Sequence, residues 1–228
     1  KRQKKMKRKK EVENTQKGRL ISFCGVDGSG KSSLIASVSK ELTKKGLSVE
    51  VVYANRAHLF YIKNKMFYFG LPIDFVAKRV LKCNDFFEYR KHRLGLPYAL
   101  ALFLDYIPFV LRKIHHSLKK NRLIITDRYI YDILVFRYYD MYYPFIEDAF
   151  MKIAPKPDLV FLIDVPPELA FERKKEYTLE HRIKEREIYL EYAHRLGFRV
   201  IDNTKPFIDV SQNILNEITT ILNFTTVN

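Results

Sequence analysis

Tryptophan is missing from this chain of 228 residues, and cysteine is nearly so, occurring only as Cys24 and Cys83. Two cysteines cannot build a disulfide framework or a four-thiolate zinc site, so a reducing, cytoplasmic setting is expected. The six histidines include the adjacent pair His115-His116, yet none show a metal-ligand spacing such as H-E-x-x-H, which removes the zinc hypothesis. Eight glycines and nine prolines are too few for a collagen-like or low-complexity architecture. Acidic residues are also short, 26 against 41 Lys and Arg, for a formal net charge of +15.

That charge is unevenly spread. Residues 1–18 hold nine Lys or Arg and two Glu, a net of +7, which leaves +8 for the other 210 residues. Apart from Met6 this segment has almost no apolar residue, and it lacks the apolar core of a signal peptide. It reads as a disordered tail or linker, because it cannot bury enough surface to offset its ordering entropy. A basic arm of this kind could touch nucleic acid or anionic lipid, and a solvated linker is the plainer alternative.

What is present is 47% hydrophobic and 14% aromatic residues, enough for a substantial core. From Arg19 onward apolar runs alternate with helical patterns, as in an α/β domain with a parallel sheet. Strands are predicted over Leu20–Cys24, Ser48–Tyr53, Leu123–Thr126, Leu159–Ile163 and Arg199–Ile201. Helices are predicted over Lys31–Lys45, in two or more segments between Phe75 and Lys120, and over Glu168–Glu176, Leu179–Leu196 and Ile208–Leu222. One domain, 19–228, follows the tail. Leu94–Leu111 carries a single charge, Asp105, and its 18 residues brush the lower limit of a membrane span. Pro97, Pro108 and the central Asp105 favour a helix buried in an α/β domain, so no transmembrane span is expected.

Directly after the first predicted strand comes Gly25-Val26-Asp27-Gly28-Ser29-Gly30-Lys31-Ser32, a full G-x-x-x-x-G-K-S match. The glycines let the backbone turn tightly, so that successive N–H groups and the next helix N-terminus can meet polyphosphate oxygens. Lys31 would supply a point charge to the β- and γ-phosphates, and the Ser32 hydroxyl a ligand to Mg²⁺. The preceding apolar strand and the periodic Leu34, Ile35, Val38 and Leu42 after it are the context such a loop demands. Binding of a nucleoside triphosphate follows.

Leu123-Ile124-Ile125-Thr126-Asp127-Arg128-Tyr129 is a buried strand ending in an acid, the place for a carboxylate that holds Mg²⁺ through water. Arg128 at the same strand end would stabilise charge on a migrating phosphoryl group. The alternative is an Asp that caps the next helix beside a surface Arg. A third segment, Pro157-Asp158 through Arg173-Lys174-Lys175, is a strand followed by a Pro-Pro helix entry and a basic cluster. Beyond it Glu180, Arg182, Lys184, Glu185, Arg186 and Glu187 alternate in sign. They could form a lid that brings Arg or Lys to the phosphates, or simply a solvated face with pairs such as Glu180/Lys184.

These three segments, in this order, resemble the thymidylate kinase family of P-loop nucleoside-monophosphate kinases, over about Arg19 to Leu222. The resemblance implies a P-loop NTPase fold, with a five-stranded parallel sheet flanked by helices on both faces, and Mg²⁺-ATP as phosphoryl donor. It assigns donor contacts to Gly25, Val26, Asp27, Gly28, Ser29, Gly30, Lys31, Ser32 and Ser33, and Mg²⁺ to Ser32 and Asp127. Asp127, Arg128 and Tyr129 would stand at the metal and the transferred phosphate. Arg173 and Asn203-Thr204-Lys205-Pro206 would lie near the adenine. Family loops without an internal Arg, as here, take the catalytic Arg from the lid, which points to Arg182 or Arg186.

The acceptor half departs from the family pattern. The usual Arg-Glu-Pro-Gly is replaced by Asn55-Arg56-Ala57-His58, where Arg56 could keep the contact to the acceptor phosphate. The usual Asp-Arg pair corresponds to Asp105-Tyr106, so the base-reading Arg is absent. The Ser and Tyr-Gln that follow Asp-Arg-Tyr are replaced by Ile130-Tyr131-Asp132-Ile133-Leu134-Val135. Eight aromatics crowd into Tyr129–Phe145, as an acceptor-pocket wall or the interface of a homodimer. The expectation is phosphoryl transfer to a small acceptor, dTMP to dTDP first, with Arg56, Asp105, Tyr106 and Tyr129 on the acceptor. Another nucleotide, a nucleoside or a sugar-type metabolite is the alternative acceptor. A non-catalytic nucleotide-binding, regulatory or membrane-associated module is the alternative of a different class.

Overall fold

The computed structural model describes residues 18–54, 79–82, 94–120, 122–134, 143–175 and 177–224. Among them the chain runs β1 (Arg19–Cys24), α1 (Lys31–Lys44), β2 (Val49–Tyr53), α2 (Gly95–Phe109), a π-helical stretch (Val110–His115), α3 (His116–Lys119), β3 (Leu123–Asp127) and α4 (Ile130–Leu134). It continues with α5 (Pro144–Ile153), β4 (Leu159–Asp164), α6 (Pro167–Arg173), α7 (Leu179–Leu196), β5 (Arg199–Asp202) and α8 (Phe207–Phe224). The five strands form one parallel sheet in the order β2-β3-β1-β4-β5.

The period-two alternation of the strands assigns residues to the two faces. Ile21 and Phe23 of β1, Ile125 of β3 and Phe161 and Ile163 of β4 join Leu34, Ile35 and Val38 of α1 and Ile214 and Ile218 of α8 in one core. Leu20, Cys24, Ile124, Val160 and Leu162 point the other way, onto Tyr106 and Phe109 of α2, Phe150 of α5 and Tyr189 and Tyr192 of α7. Both faces are therefore covered, which is why the strands read as continuous apolar runs rather than half-polar ones. Cys24 is a small buried hydrophobe of this second core.

All five predicted strands are present, with small shifts at their ends. The helix predicted over Glu168–Glu176 ends earlier, at Arg173, where Lys174 turns to extended backbone. Helices α4 and α5 were not predicted. The long apolar segment is helical, but only one face of it is buried. Tyr106, Phe109, Val110 and Ile114 enter the core, while Leu96, Leu100, Leu104 and Leu111 are exposed. By length and composition alone this helix, continuous from Gly95 to Lys119, could cross a membrane, yet Asp105 in its middle is buried among the domain's own residues.

The strand order decides where chemistry can occur. β1 lies between β3 and β4, with β2 and β3 laid down on one side of it and β4 and β5 on the other, so a crevice opens beyond the carboxyl ends of β1 and β3. Register pairs Phe23 with Asp127, which brings the glycine-rich loop after β1 and the acid ending β3 to the same edge.

Candidate active site

The loop after β1 is built against its neighbours. Gly28 has φ +90°, and a Cβ there would lie 2.4 Å from the Ala170 carbonyl oxygen of α6. Gly25 has φ +135°, and its Cβ would lie 2.5 Å from the Ile163 carbonyl oxygen of β4. Only glycine meets both demands, the left-handed backbone and the close approach. Two side chains brace the loop from outside. The Asn203 amide donates to the Ser29 carbonyl at 2.7 Å, and Arg173 Nη1 donates to the Gly28 carbonyl at 3.3 Å. Arg173 and Asn203, which the resemblance places toward the adenine, here contact the carbonyls of the loop.

Lys31 is folded back into this loop. Its Nζ donates to the carbonyls of Gly25 (2.8 Å) and Val26 (2.7 Å) and to Ser29 Oγ (3.3 Å). Burial, and after it the positive charge of Arg128, bring the Lys31 ammonium down to about 8. Asp27, also in the loop, ion-pairs with Arg128 and lies 3.8 Å from Lys174. Burial works against its charge, but Arg128, Lys31 and Lys174 outweigh it and hold the carboxyl below its ordinary range.

Ser32, in the first turn of α1, donates from Oγ to Asp127 Oδ2 at 2.7 Å. The next residue, Arg128, has φ +69°, a left-handed conformation rare for a residue with a side chain. Its backbone N–H donates to the Phe23 carbonyl at 2.8 Å, and its guanidinium reaches Asp27 on one side and Asp132 Oδ1 (3.1 Å) on the other. Burial opposes the Arg128 charge, but Tyr189, Asp132, Asp27 and Glu185 keep it firmly protonated. Asp27, Lys31, Ser32, Asp127, Arg128 and Lys174 line a cleft of about 500 Å³, with Gly28, Gly30, Ser33 and Tyr53 completing its wall.

The two lid candidates differ sharply. Arg186 makes a two-pronged contact with Asp164, 2.7 Å from Nε and 2.7 Å from Nη2. Arg182 is fully buried, donates from Nη1 to Glu185 (2.8 Å) and lies over the Tyr177 ring at 5.1 Å. Its Nε and Nη2 have no hydrogen-bond partner among the described residues. Neither Arg lines the cleft.

Of the acceptor candidates, Asp105, Tyr106 and Tyr129 do not line this cleft. Asp105 and Tyr106 are buried on α2, and the Tyr106 ring packs on Phe109 and Phe150. The Tyr106 hydroxyl is buried with no partner among the described residues. Tyr129 is buried too, and its hydroxyl donates to the Pro155 carbonyl at 2.8 Å. Arg56, the segment 55–58 that carries it, and residues 135–142 of the aromatic run lie outside the described residues.

Several residues of the site carry no individual role in the sequence analysis: Lys174, Tyr53 and Glu185, and above all Asp132 and Tyr189. The i,i+4 spacing from Arg128 to Asp132 was a usable signal for one of them. Tyr189 lies 57 residues beyond Asp132 and left no local trace.

A doubly covered parallel sheet, a glycine-rich loop at its switch point and an acid-arginine pair on the neighbouring strand define a P-loop phosphotransferase of the nucleoside-monophosphate kinase type. The thymidylate kinase family model matches residues 77–220. The probable thymidylate kinase of Archaeoglobus fulgidus is 28% identical over 215 residues, covering 90% of this chain and 96% of the relative. The thymidylate kinase of Carboxydothermus hydrogenoformans is 31% identical over 204 residues, covering 83% and 91%. The chain belongs to the thymidylate kinase family.

Proposed function

We propose that this protein transfers the γ-phosphoryl group of ATP to a nucleoside monophosphate, dTMP in the first place, with release of ADP and dTDP. The observation that carries the reading is the meeting of Lys31, the Ser32–Asp127 pair and Arg128 in one cleft. Transfer of this kind needs positioning and charge stabilisation more than covalent chemistry from the protein.

The residues fit a hard cation such as Mg²⁺. A hydroxyl and a carboxylate stand 2.7 Å apart at the cleft wall, and no cluster of three or more His, Cys, Asp or Glu able to hold a metal occurs among the described residues. One or two protein oxygens completed by phosphate and water is the usual Mg²⁺ environment in phosphoryl-transfer sites. Mg²⁺ would neutralise charge on the phosphates. Ser32 and Asp127 would hold it, Lys31 would leave its loop carbonyls for the phosphate oxygens, and Arg128 would exchange Asp27 for the migrating phosphoryl. Arg182 keeps two donors without partners among the described residues, and a movement of α7 would be needed for it to add a second guanidinium, since it does not line the cleft.

Turnover of ATP against a panel of dTMP, other nucleoside monophosphates, nucleosides and sugars tests this reading, with Lys31→Ala as the control. dTMP-dependent ADP release lost in that variant is the expected result, and undiminished release in Lys31→Ala would defeat the mechanism. A second reading, a different acceptor on the same donor site, is favoured by Tyr106. It offers a buried neutral hydroxyl where the family resemblance leads one to expect a base-reading guanidinium, and activity only with another member of the panel would establish it.

A further inference from the structure

Arg128 is held by two carboxylates, and the two are not alike. Asp27 belongs to the phosphate-binding loop, lines the cleft and keeps its side chain 27% exposed. Asp132 lies behind Arg128, away from the cleft wall, with its side chain only 8% exposed. Its Oδ1 accepts from Arg128 Nη1 (3.1 Å) and from the Tyr189 hydroxyl (2.6 Å), and its Oδ2 accepts from the Tyr129 backbone N–H (2.8 Å). The same carboxylate therefore grips the Arg128 guanidinium, the backbone immediately after its left-handed residue, and helix α7 on the same face of the sheet.

We propose that Asp132, fixed by the Tyr189 hydroxyl, is the positioning residue that keeps the Arg128 guanidinium aimed into the cleft while Asp27 gives it up to the substrate phosphates. This inference rests on the phosphoryl-transfer reading above. An anion entering the cleft competes with Asp27, which shares that space. It does not meet Asp132, which continues to hold Nη1 from behind. A guanidinium fixed at one end by charge-assisted hydrogen bonds reaches the transferring group with little reorganisation. The contact to the Tyr129 N–H does further work. It ties off the backbone donor at the start of α4, as an acid at the third helical position can, and so helps maintain the left-handed turn at Arg128.

The test compares variants by steady-state kinetics and nucleotide affinity. Asp132→Asn should lower kcat by about 10–100-fold and shift the KM for ATP by less than about threefold, since the interaction matters in the transition state rather than in donor binding. Tyr189→Phe, which leaves the ring in place, should lower kcat by about 3–10-fold. In an Arg128→Ala background, Asp132→Asn should cost less than about twofold, because a residue that acts through Arg128 has nothing left to position. The same fold-loss in both backgrounds, or an unchanged kcat in Asp132→Asn, would overturn the proposal. Should Asp132→Asn fail to fold, Tyr189→Phe with and without Arg128→Ala decides by the same criterion. Wild-type protein with no transfer to any acceptor would instead defeat the functional reading, which keeps the two failures apart.

Discussion

Arg186 and Asp164 form a two-pronged ion pair, with both nitrogen–oxygen separations at 2.7 Å. This contact tethers α7 to the carboxyl end of β4 and occupies the guanidinium of one of the two arginines considered for a lid role. Arg182, one helical turn earlier, keeps two buried donors without partners among the described residues. Unused buried donors are costly in isolation, which singles Arg182 out as the arginine of the two whose guanidinium is not fully engaged among the described residues.

Substitution should separate the two arginines. Arg182→Ala is expected to lower kcat by about 10–1,000-fold, in the range for loss of one charge-stabilising donor. Arg186→Ala is expected to leave kcat within severalfold and to cost about 1 kcal/mol of stability, because the pair is partly solvated. Steady-state kinetics and thermal unfolding of both variants check this, and an equal kinetic loss in the two would contradict it.

Nucleotide binding should take up a proton at alkaline pH. Lys31 titrates at about 8 in the free protein because it is buried beside Arg128. Phosphate oxygens would favour its charged form and raise that value. Affinity for ATP is therefore expected to fall as pH rises above 8, by up to about tenfold per unit. Calorimetric titrations at pH 9 in buffers of different ionisation enthalpy measure the uptake directly; identical heats would count against it. The free protein should behave in the opposite sense. The folded pKa lies below the ordinary Lys value of 10.5, so the unfolded chain binds more protons between them, and this group's contribution to stability improves as pH climbs through that window.

Gly28→Ala should damage the donor site without touching a charged residue. The added Cβ would meet the Ala170 carbonyl at 2.4 Å with the backbone at φ +90°, so either the loop or α6 must move. A loss of about 1–3 kcal/mol in stability is expected, together with weakened ATP binding. Chemical denaturation and nucleotide titration would show it, and wild-type values for both would refute this account of the loop.

Ser32→Ala removes the hydroxyl that donates to Asp127 while leaving the charges of the site intact. The expected signature is a raised Mg²⁺ requirement, with activity partly recovered at high Mg²⁺. A Mg²⁺ titration of turnover in the variant reads this out, and an unaltered half-saturation point would exclude Ser32 from the metal site.

Much of the sheet and of the glycine-rich loop was legible in the chain itself. The apolar runs of β1, β3 and β4 are buried on both sides, so their composition announces them regardless of their neighbours. The spacing of Gly25, Gly28, Gly30, Lys31 and Ser32 is local, because one loop and one helix start supply every group it needs. Helix ends were less legible. The run of charges after Arg173 continues a helical composition, and only the tertiary structure shows α6 stopping there, where Lys174 turns to extended backbone within reach of Asp27. The apolar run at α2 announced burial but could not say that Leu96, Leu100 and Leu104 would face outward, since a helix that is apolar all round has no pattern from which a face can be chosen.

The sequence alone determined the fold class, the glycine-rich loop after β1 and the acid that ends β3, because each is written in contiguous residues whose backbone and side-chain demands are met locally. The tertiary structure decided the allocation of charges. It gave Arg186 to Asp164, left two Arg182 donors without partners among the described residues, and placed Arg128 between Asp27 and Asp132 with Tyr189 behind. Those choices depend on which strand ends meet and which helix crosses behind them. An ion pair or hydrogen bond acts over a few ångströms of space, whatever the distance along the chain.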